Sequence, residues 1–206
     1  MPRPLPRTFY RRDVVDVARA LLGQRLVRRL PDGTRLAGLI VETEAYCGIP
    51  DKAAHTANGR RTARNETMWG PPGHAYVYFT YGMHHCMNVV AGQRDEPVAA
   101  LIRAIEPTVG LDAIWPARSS ARRVTDLCSG PAKLCQALRI DRELNGADLV
   151  GGADLWIEPG PASARPRPAQ IAVGPRIGIA NAEEWTTRPL RFLIRGNAHV
   201  SPPRLT

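Results

Sequence analysis

Glu42 and Glu44 are the residues whose types and spacing first suggest chemistry in this chain. They lie two positions apart in the otherwise apolar run 40–46. Because side chains alternate along a strand, both carboxylates should share one face with Tyr46, and the intervening residues should face the other way. Two aligned carboxylates can provide acid–base catalysis. The alternative is that both simply line the solvated face of a sheet.

A second candidate group is the aromatic segment at residues 76–83. Tyr76 and Tyr78 should share one strand face, and Gly82 predicts a turn that would leave Tyr81 at the tip of a hairpin. Tyrosine faces near a carboxylate suggest hydrolytic chemistry on a flat ring. The alternative is that these tyrosines are ordinary sheet residues with solvated hydroxyl groups.

Arg103 lies inside the hydrophobic run 98–105, where an arginine usually has an acidic partner. That partner could belong to a catalytic site or to a buried structural ion pair. Of the histidines, His55 lies in a basic loop, and His84 and His85 come directly after the predicted hairpin tip. For His84 and His85 we favour an ordinary structural role.

The charge balance indicates a polyanionic partner. Lysine and arginine number 28 against 19 acidic residues, which gives a formal net charge of +9. Neutralising phosphates releases counterions and favours binding to nucleic acid. Only Lys52 and Lys133 are lysines. The Gly-Pro-Pro-Gly stretch at 70–73 is a turn and does not match a phosphate-binding loop, so the sequence predicts no nucleotide cofactor.

The four cysteines lack metal-ligand spacing, so we expect reduced thiols, no metal and a cytoplasmic protein. The N-terminal residues have no apolar core of a signal peptide, and no window approaches a membrane span. The sequence therefore predicts no membrane partner. We expect a monomer of bacterial type, associated with the nucleoid if its polyanionic partner is DNA.

The elements that must position these residues are read from apolar periodicity and turn signals. A helix capped by Thr8 or Asp13 should end at Gly23, and a second should run from Ser129 to about Leu138. Strands are predicted at 25–30, 35–46, 74–81, 85–91, 98–105, 154–158, 169–173 and 190–195. Residues 47–73 are predicted to be a long functional loop. The predicted fold is a single α+β domain, residues 1–206, around a curved and largely antiparallel sheet with flanking helices and a protruding β-hairpin.

The chain resembles the alkyladenine (3-methyladenine) DNA glycosylase family. The blocks that carry the resemblance are Val41–Tyr46, Ala54-His55, Arg64-Asn65, Tyr76–Tyr78, Tyr81–Met83, Cys86–Asn88, Leu127–Leu138, Arg176–Gly178, Glu184-Trp185 and Pro189–Phe192. They occur in order and cover nearly the whole chain beyond the first helix. One departure is His84-His85, where aromatic residues are expected.

The resemblance implies a monofunctional base-excision enzyme that flips a damaged purine out of double-stranded DNA and hydrolyses its N-glycosidic bond. Glu44 would activate the attacking water, Arg103 would help hold it, and Glu42 would have a supporting part. The remaining roles that the resemblance implies are a base pocket of Tyr46, His55, Tyr78, Asn88 and Ile179, a wedge of Tyr81 with Met83, and DNA-backbone contacts from Arg64, Lys133 and Arg176.

Three other functions are weighed against this one. A sugar glycosidase also uses paired carboxylates and aromatic platforms, but the basic surplus argues against neutral glycans. A glycosylase with lyase activity needs a nucleophilic amine, and neither lysine lies beside the pocket motifs. A non-catalytic nucleic-acid-binding module would not depend on Glu44. The sequence does not rank 3-methyladenine, 7-methylguanine, hypoxanthine and ethenoadenine as substrates.

Overall fold

The computed structural model of the protein describes residues 3–80 and 82–205. Its strands are β1 (Arg25–Arg29), β2 (Arg35–Tyr46), β3 (Ala75–Thr80), β4 (His84–Ala91), β5 (Val98–Val109), β6 (Leu155–Glu158), β7 (Ile171–Gly174) and β8 (Arg191–Ile194). Its α-helices are α1 (Arg7–Tyr10), α2 (Val14–Leu21), α3 (Leu111–Ala117), α4 (Val124–Leu127) and α5 (Pro131–Ala137).

The strands form one antiparallel sheet. The order along it is β3-β4-β5-β2-β1-β6, and β8 pairs with both β2 and β7. Strand β5 follows one edge of β2, whereas β1 and then β8 follow the other edge. The strand that carries the two predicted carboxylates is therefore central, and the predicted α+β fold class is confirmed.

Strand β2 is irregular where its neighbour changes from β1 to β8. Its register with β5 shifts on both sides of Glu42, and such irregularities redirect side chains. Val41 packs in a small cluster with Leu193, whereas Ala45 belongs to the main core. The predicted strict alternation is therefore wrong at Val41. It is correct for the two carboxylates, which both contact Arg103.

Helix α2 packs its apolar face on β2, as its 3.6-residue spacing predicts. Of the two predicted caps, Asp13 is correct, because its carboxylate accepts hydrogen bonds from the N–H groups of Val15 and Asp16. Helix α5 begins at Pro131, within the predicted range, and packs against β4 and β5. Helices α3 and α4 were not predicted, since each spans two turns or fewer.

The other predicted strands are confirmed with small shifts at their ends, except that β5 continues to Val109. The long segment 47–73 is an ordered loop that contains the 3₁₀ turns Ala57–Gly59 and Glu66–Trp69. Its polar side chains Asp51, Thr56 and Asn65 are buried. Buried polar groups need partners, so this loop is fixed by specific hydrogen bonds.

Strands β3 and β4 form the predicted hairpin at one end of the sheet. Met83, beside the tip, is 70% exposed, and Phe79 is 42% exposed. Tyr81, the predicted wedge residue, lies outside the described residues. Within 3–80 and 82–205, no helix has both the length and the apolar character to cross a membrane.

Candidate active site

A cavity of about 170 Å³ opens between β3, β4, the end of β2 and the segment that follows β7. It is lined by Tyr46, Ala53, His55, Met68, Tyr76, Tyr78, Thr80, Asn88, Gly178 and Ile179. An apolar cavity of about 150 Å³ holds a benzene molecule, so this cavity has the dimensions for one flat base. All five residues predicted for a base pocket line it.

Aromatic rings form one side of the cavity. Tyr76 and Tyr78 lie on the same face of β3, with ring centroids 5.4 Å apart and planes inclined by 31°. The ring of His55 meets Tyr78 edge-on at 4.5 Å, and its Nδ1 lies 2.8 Å from the Tyr76 hydroxyl. These contacts fix the rings in place and leave aromatic surface facing the cavity.

His55 is held neutral by its surroundings. Burial, together with the nearby cations Arg64 and Arg60, lowers its pKa from 6.5 to about 4. The imidazole therefore carries no charge near neutral pH. A neutral ring can stack on a cationic base without repelling it, which suits the predicted substrate class.

Glu44 is fully buried and contacts Tyr46, one of the residues that line the cavity. Its Oε2 accepts a hydrogen bond from the Tyr46 hydroxyl at 3.0 Å, and its Oε1 accepts one from the Ile177 N–H at 2.8 Å. The Nη1 atom of Arg103 lies 3.2 Å from Oε1. The solvated-face alternative for this carboxylate is therefore wrong.

The surroundings of Glu44 have opposing effects on its pKa. Burial raises its pKa above the ordinary value, and Arg103, the Ile177 N–H and the Tyr46 hydroxyl each lower it again, leaving a net increase. A carboxyl group with a raised pKa that keeps hydrogen-bond donors is suited to accept a proton near neutral pH.

Glu42 is also fully buried, but its neighbours are different. It accepts hydrogen bonds from Arg191 Nε at 2.6 Å, from Ser201 N at 2.8 Å and from Ser201 Oγ at 3.0 Å. Arg103 Nε lies 3.4 Å from the same carboxylate. Glu42 thus joins β2 to β8 and to the C-terminal segment, which agrees with a supporting part.

The sequence of this chain is similar to those of known DNA glycosylases. A family model described as methylpurine-DNA glycosylase (MPG) matches residues 8–198. The chain belongs to this family. It is 49% identical to a putative 3-methyladenine DNA glycosylase of Methanocella arvoryzae, over 96% of this chain and 95% of that protein. It is 50% identical to a protein of the same name from Carboxydothermus hydrogenoformans, over 96% and 98%.

Mammalian members of the methylpurine-DNA glycosylase family are longer than this chain. The DNA-3-methyladenine glycosylase of Mus musculus is 47% identical over 94% of this chain, and the human protein is 46% identical over the same share. The chain spans 60% of the mouse protein and 66% of the human protein.

Arg176 lies inside the fold. Its side chain is fully buried and forms an ion pair with Asp51. Its guanidinium carbon lies 4.6 Å from the centroid of the Tyr46 ring. The guanidinium group therefore has internal partners next to the cavity, and its contact with the DNA backbone stays a prediction.

The other residues predicted to bind DNA lie nearer the surface. Arg64 is exposed, donates to the Phe79 carbonyl at 3.1 Å and has its guanidinium carbon 5.5 Å from the Tyr78 ring centroid. Lys133 is half-buried on α5. Both side chains could reach a bound duplex, and their contacts with DNA stay predictions.

Two predicted pocket residues also make internal hydrogen bonds. Asn88 donates from Nδ2 to the Tyr76 carbonyl at 3.2 Å. The Ile179 carbonyl accepts from the Ala182 N–H at 3.2 Å. Both groups are therefore held in place by the fold before any ligand arrives.

Sequence reasoning did not single out Met68, which lines the cavity, or Asp51, which fixes the loop behind it. Tyr76 was identified as a candidate aromatic residue on the strand face of Tyr78 but was not assigned to the base pocket, which it lines. Met68 and Asp51 lie in a loop without periodicity, so no local pattern marks them.

Proposed function

We propose that this protein is a monofunctional DNA glycosylase of base-excision repair that acts as a monomer on duplex DNA. It flips an alkylated or deaminated purine into the cavity and hydrolyses the N-glycosidic bond. The observation that carries the proposal is a fully buried carboxylate, Glu44, hydrogen-bonded to a wall of an aromatic cavity with the dimensions of one base. The family membership supports the same reaction class.

The aromatic walls account for selection of damaged purines. Alkylation leaves purines such as 3-methyladenine cationic, and a cation is attracted to a tyrosine face. Stacking on Tyr46, Tyr78 and the neutral His55 supplies about 1–3 kcal/mol per base, comparable with the few kcal/mol that flipping costs. Damaged bases also unstack more easily, which adds to selectivity.

The hydrolytic step needs a positioned water and a base. Glu44, ionised and held by Arg103, accepts a proton as the water oxygen attacks the C1′ carbon of the sugar. The electron pair of the N-glycosidic bond leaves with the purine. A cationic purine departs as a neutral base, whereas hypoxanthine would also require a proton on the leaving ring. The product on the DNA is an abasic site.

Lyase activity would need an amine in the cavity. Of the two lysines, Lys52 donates to Asn58 Oδ1 at 3.2 Å and lies on the exposed side of its loop, and Lys133 is on α5. Neither lysine lines the cavity. We therefore propose hydrolysis without a covalent enzyme–DNA intermediate.

The test uses duplex oligonucleotides that each carry one lesion: 3-methyladenine, 7-methylguanine, hypoxanthine or ethenoadenine. Enzyme treatment followed by alkali should cleave at least one alkylated or deaminated purine site. The variant Glu44→Gln should bind the same duplex and release no measurable base in the time that the unaltered protein needs to complete excision. Absence of cleavage on every lesion would overturn the proposal, and a borohydride-trapped adduct would overturn its monofunctional part.

A further inference from the structure

The Asp51–Arg176 ion pair lies directly beneath the cavity. Arg176 Nη1 and Nη2 donate to the two oxygens of Asp51 at 2.6 and 2.8 Å, and both side chains have no exposed surface. A buried ion pair contributes little net stability, because desolvation offsets the attraction. Its presence beneath a cavity therefore calls for another explanation.

Asp51 holds the loop that leads to His55. Its carboxylate accepts the N–H of Cys47 at 2.9 Å and the N–H of Ala53 at 3.0 Å. Ala53 and His55 both line the cavity. The acidic partner of the pair thus fixes the wall formed by the segment after β2.

Arg176 contacts or adjoins two other parts of the cavity wall, the end of β2 and the segment after β7. It donates to the Ala45 carbonyl at 2.9 Å and stacks on the Tyr46 ring. Its chain neighbour Ile177 donates its N–H to Glu44, and Ile179 lines the cavity. One guanidinium group therefore ties both an aromatic wall and the segment after β7 to the carboxylate that acts as base.

We propose that the Asp51–Arg176 pair is a positioning device. It seats the Ile177 N–H on Glu44 and thereby sets the lower pH limit at which that carboxylate is ionised. This inference rests on the proposed function, in which Glu44 must be ionised to act. Loss of the pair releases the segment after β7, and Glu44 then lacks a hydrogen bond that stabilises its charged form.

A second buried carboxylate provides the matched control. Glu158 on β6 is paired with Arg25 at 3.2 Å and with Arg35 at 2.5 Å, and it also accepts the indole N–H of Trp156. Strand β6 lies at the opposite end of the strand order from β3. Neutralising Glu158 should lower stability and should not affect the cavity.

The experiment measures single-turnover excision of 7-methylguanine from pH 5 to 9 by the full chain and by Asp51→Asn, Arg176→Lys and Glu158→Gln. The acid limb of the pH–rate profile should move upward by about one unit in Arg176→Lys, a tenfold loss on the acid side, because the bidentate contact is lost while the positive charge is kept. Asp51→Asn also leaves Arg176 without its neutralising anion, which favours ionised Glu44 and opposes the rise. Its acid limb should therefore move less. Glu158→Gln should lower the thermal midpoint and leave the limb in place.

A second readout does not depend on activity. Carbon-13 NMR titration of the Glu44 carboxyl group should give a higher pKa in Arg176→Lys than in the unaltered protein, a smaller change in Asp51→Asn and no change in Glu158→Gln. An unmoved carboxyl titration in a folded Arg176→Lys protein would overturn the inference, as would an equal shift in Glu158→Gln. If the unaltered protein excised no lesion, the proposed function would be contradicted. The positioning inference could still be tested separately, because the titration of Glu44 does not require activity.

Discussion

Glu42 and Glu44 lie on one strand, are both fully buried and share Arg103, yet their surroundings make them different groups. Glu42 faces Arg191 and Ser201 and is enclosed by the C-terminal segment. Glu44 faces Tyr46 and the segment that lines the cavity. Residue type and burial therefore do not distinguish the two carboxylates, whereas a hydrogen bond to a residue that lines the cavity does, and this bond marks Glu44 as the proposed base.

The largest expected difference between the two regions is in activity. We expect Glu44→Gln to lower the single-turnover excision rate by about 10²–10⁴-fold, the usual value of a general base. Glu42→Gln should lower it much less, because that carboxylate is separated from the cavity. Rapid-quench assays on the same lesion duplex measure both. Equal losses in the two variants would remove the distinction.

Stability should show the reverse order. Arg191→Met removes the closest partner of Glu42 and leaves a buried charge with fewer donors, which costs about 3–5 kcal/mol in free energy of unfolding. Glu44→Gln keeps an oxygen acceptor for the Ile177 N–H and should cost less. Urea denaturation at pH 7.5 followed by circular dichroism gives both values. A loss below that of Glu44→Gln would contradict the prediction.

The Tyr46 hydroxyl group contacts Glu44 and not Glu42, so its removal should affect only one of the two carboxylates. Its hydrogen bond lowers the pKa of Glu44, so its loss in Tyr46→Phe should raise that pKa. Because the base acts when ionised, the acid limb of the rate profile should move to higher pH while stacking is retained. Tyr78→Phe, which keeps the ring and has no hydrogen bond to Glu44, should not move this limb. Identical profiles for the two variants would exclude the assigned role of the hydroxyl group.

Ser201 offers the smallest change on the Glu42 side. Ser201→Ala removes the hydroxyl donor at 3.0 Å and keeps the backbone N–H donor. The expected cost is about 1 kcal/mol in free energy of unfolding. Excision should remain at the rate of the unaltered protein. A larger effect on excision than on unfolding would show that Glu42 reaches the reaction directly.

Local pattern was sufficient for most elements and for the pocket residues on strands. The period of two along 40–46 and 76–83 located both carboxylates and two tyrosines, and charged or glycine residues marked the turns. The predicted alternation of side chains is wrong at Val41, because the shift in pairing between β2 and β5 depends on strands that are distant in the sequence. A sequence window contains no information on that pairing.

The internal partner of Arg176 was missed for a related reason. An arginine in a basic protein has the same local signature whether it meets a phosphate or a buried acid. Its partner Asp51 lies 125 positions away in the chain, and only the folded sheet brings the two together.

The change of neighbour along β2 has a consequence for biosynthesis. Strand β8 and Ser201 reach Glu42 across separations of 149 and 159 residues, so this edge of β2 can be completed only after residues 191–201 have left the ribosome. Strands β1 and β5 can pair with β2 before that point, whereas Glu42 still lacks its donors from Arg191 and Ser201.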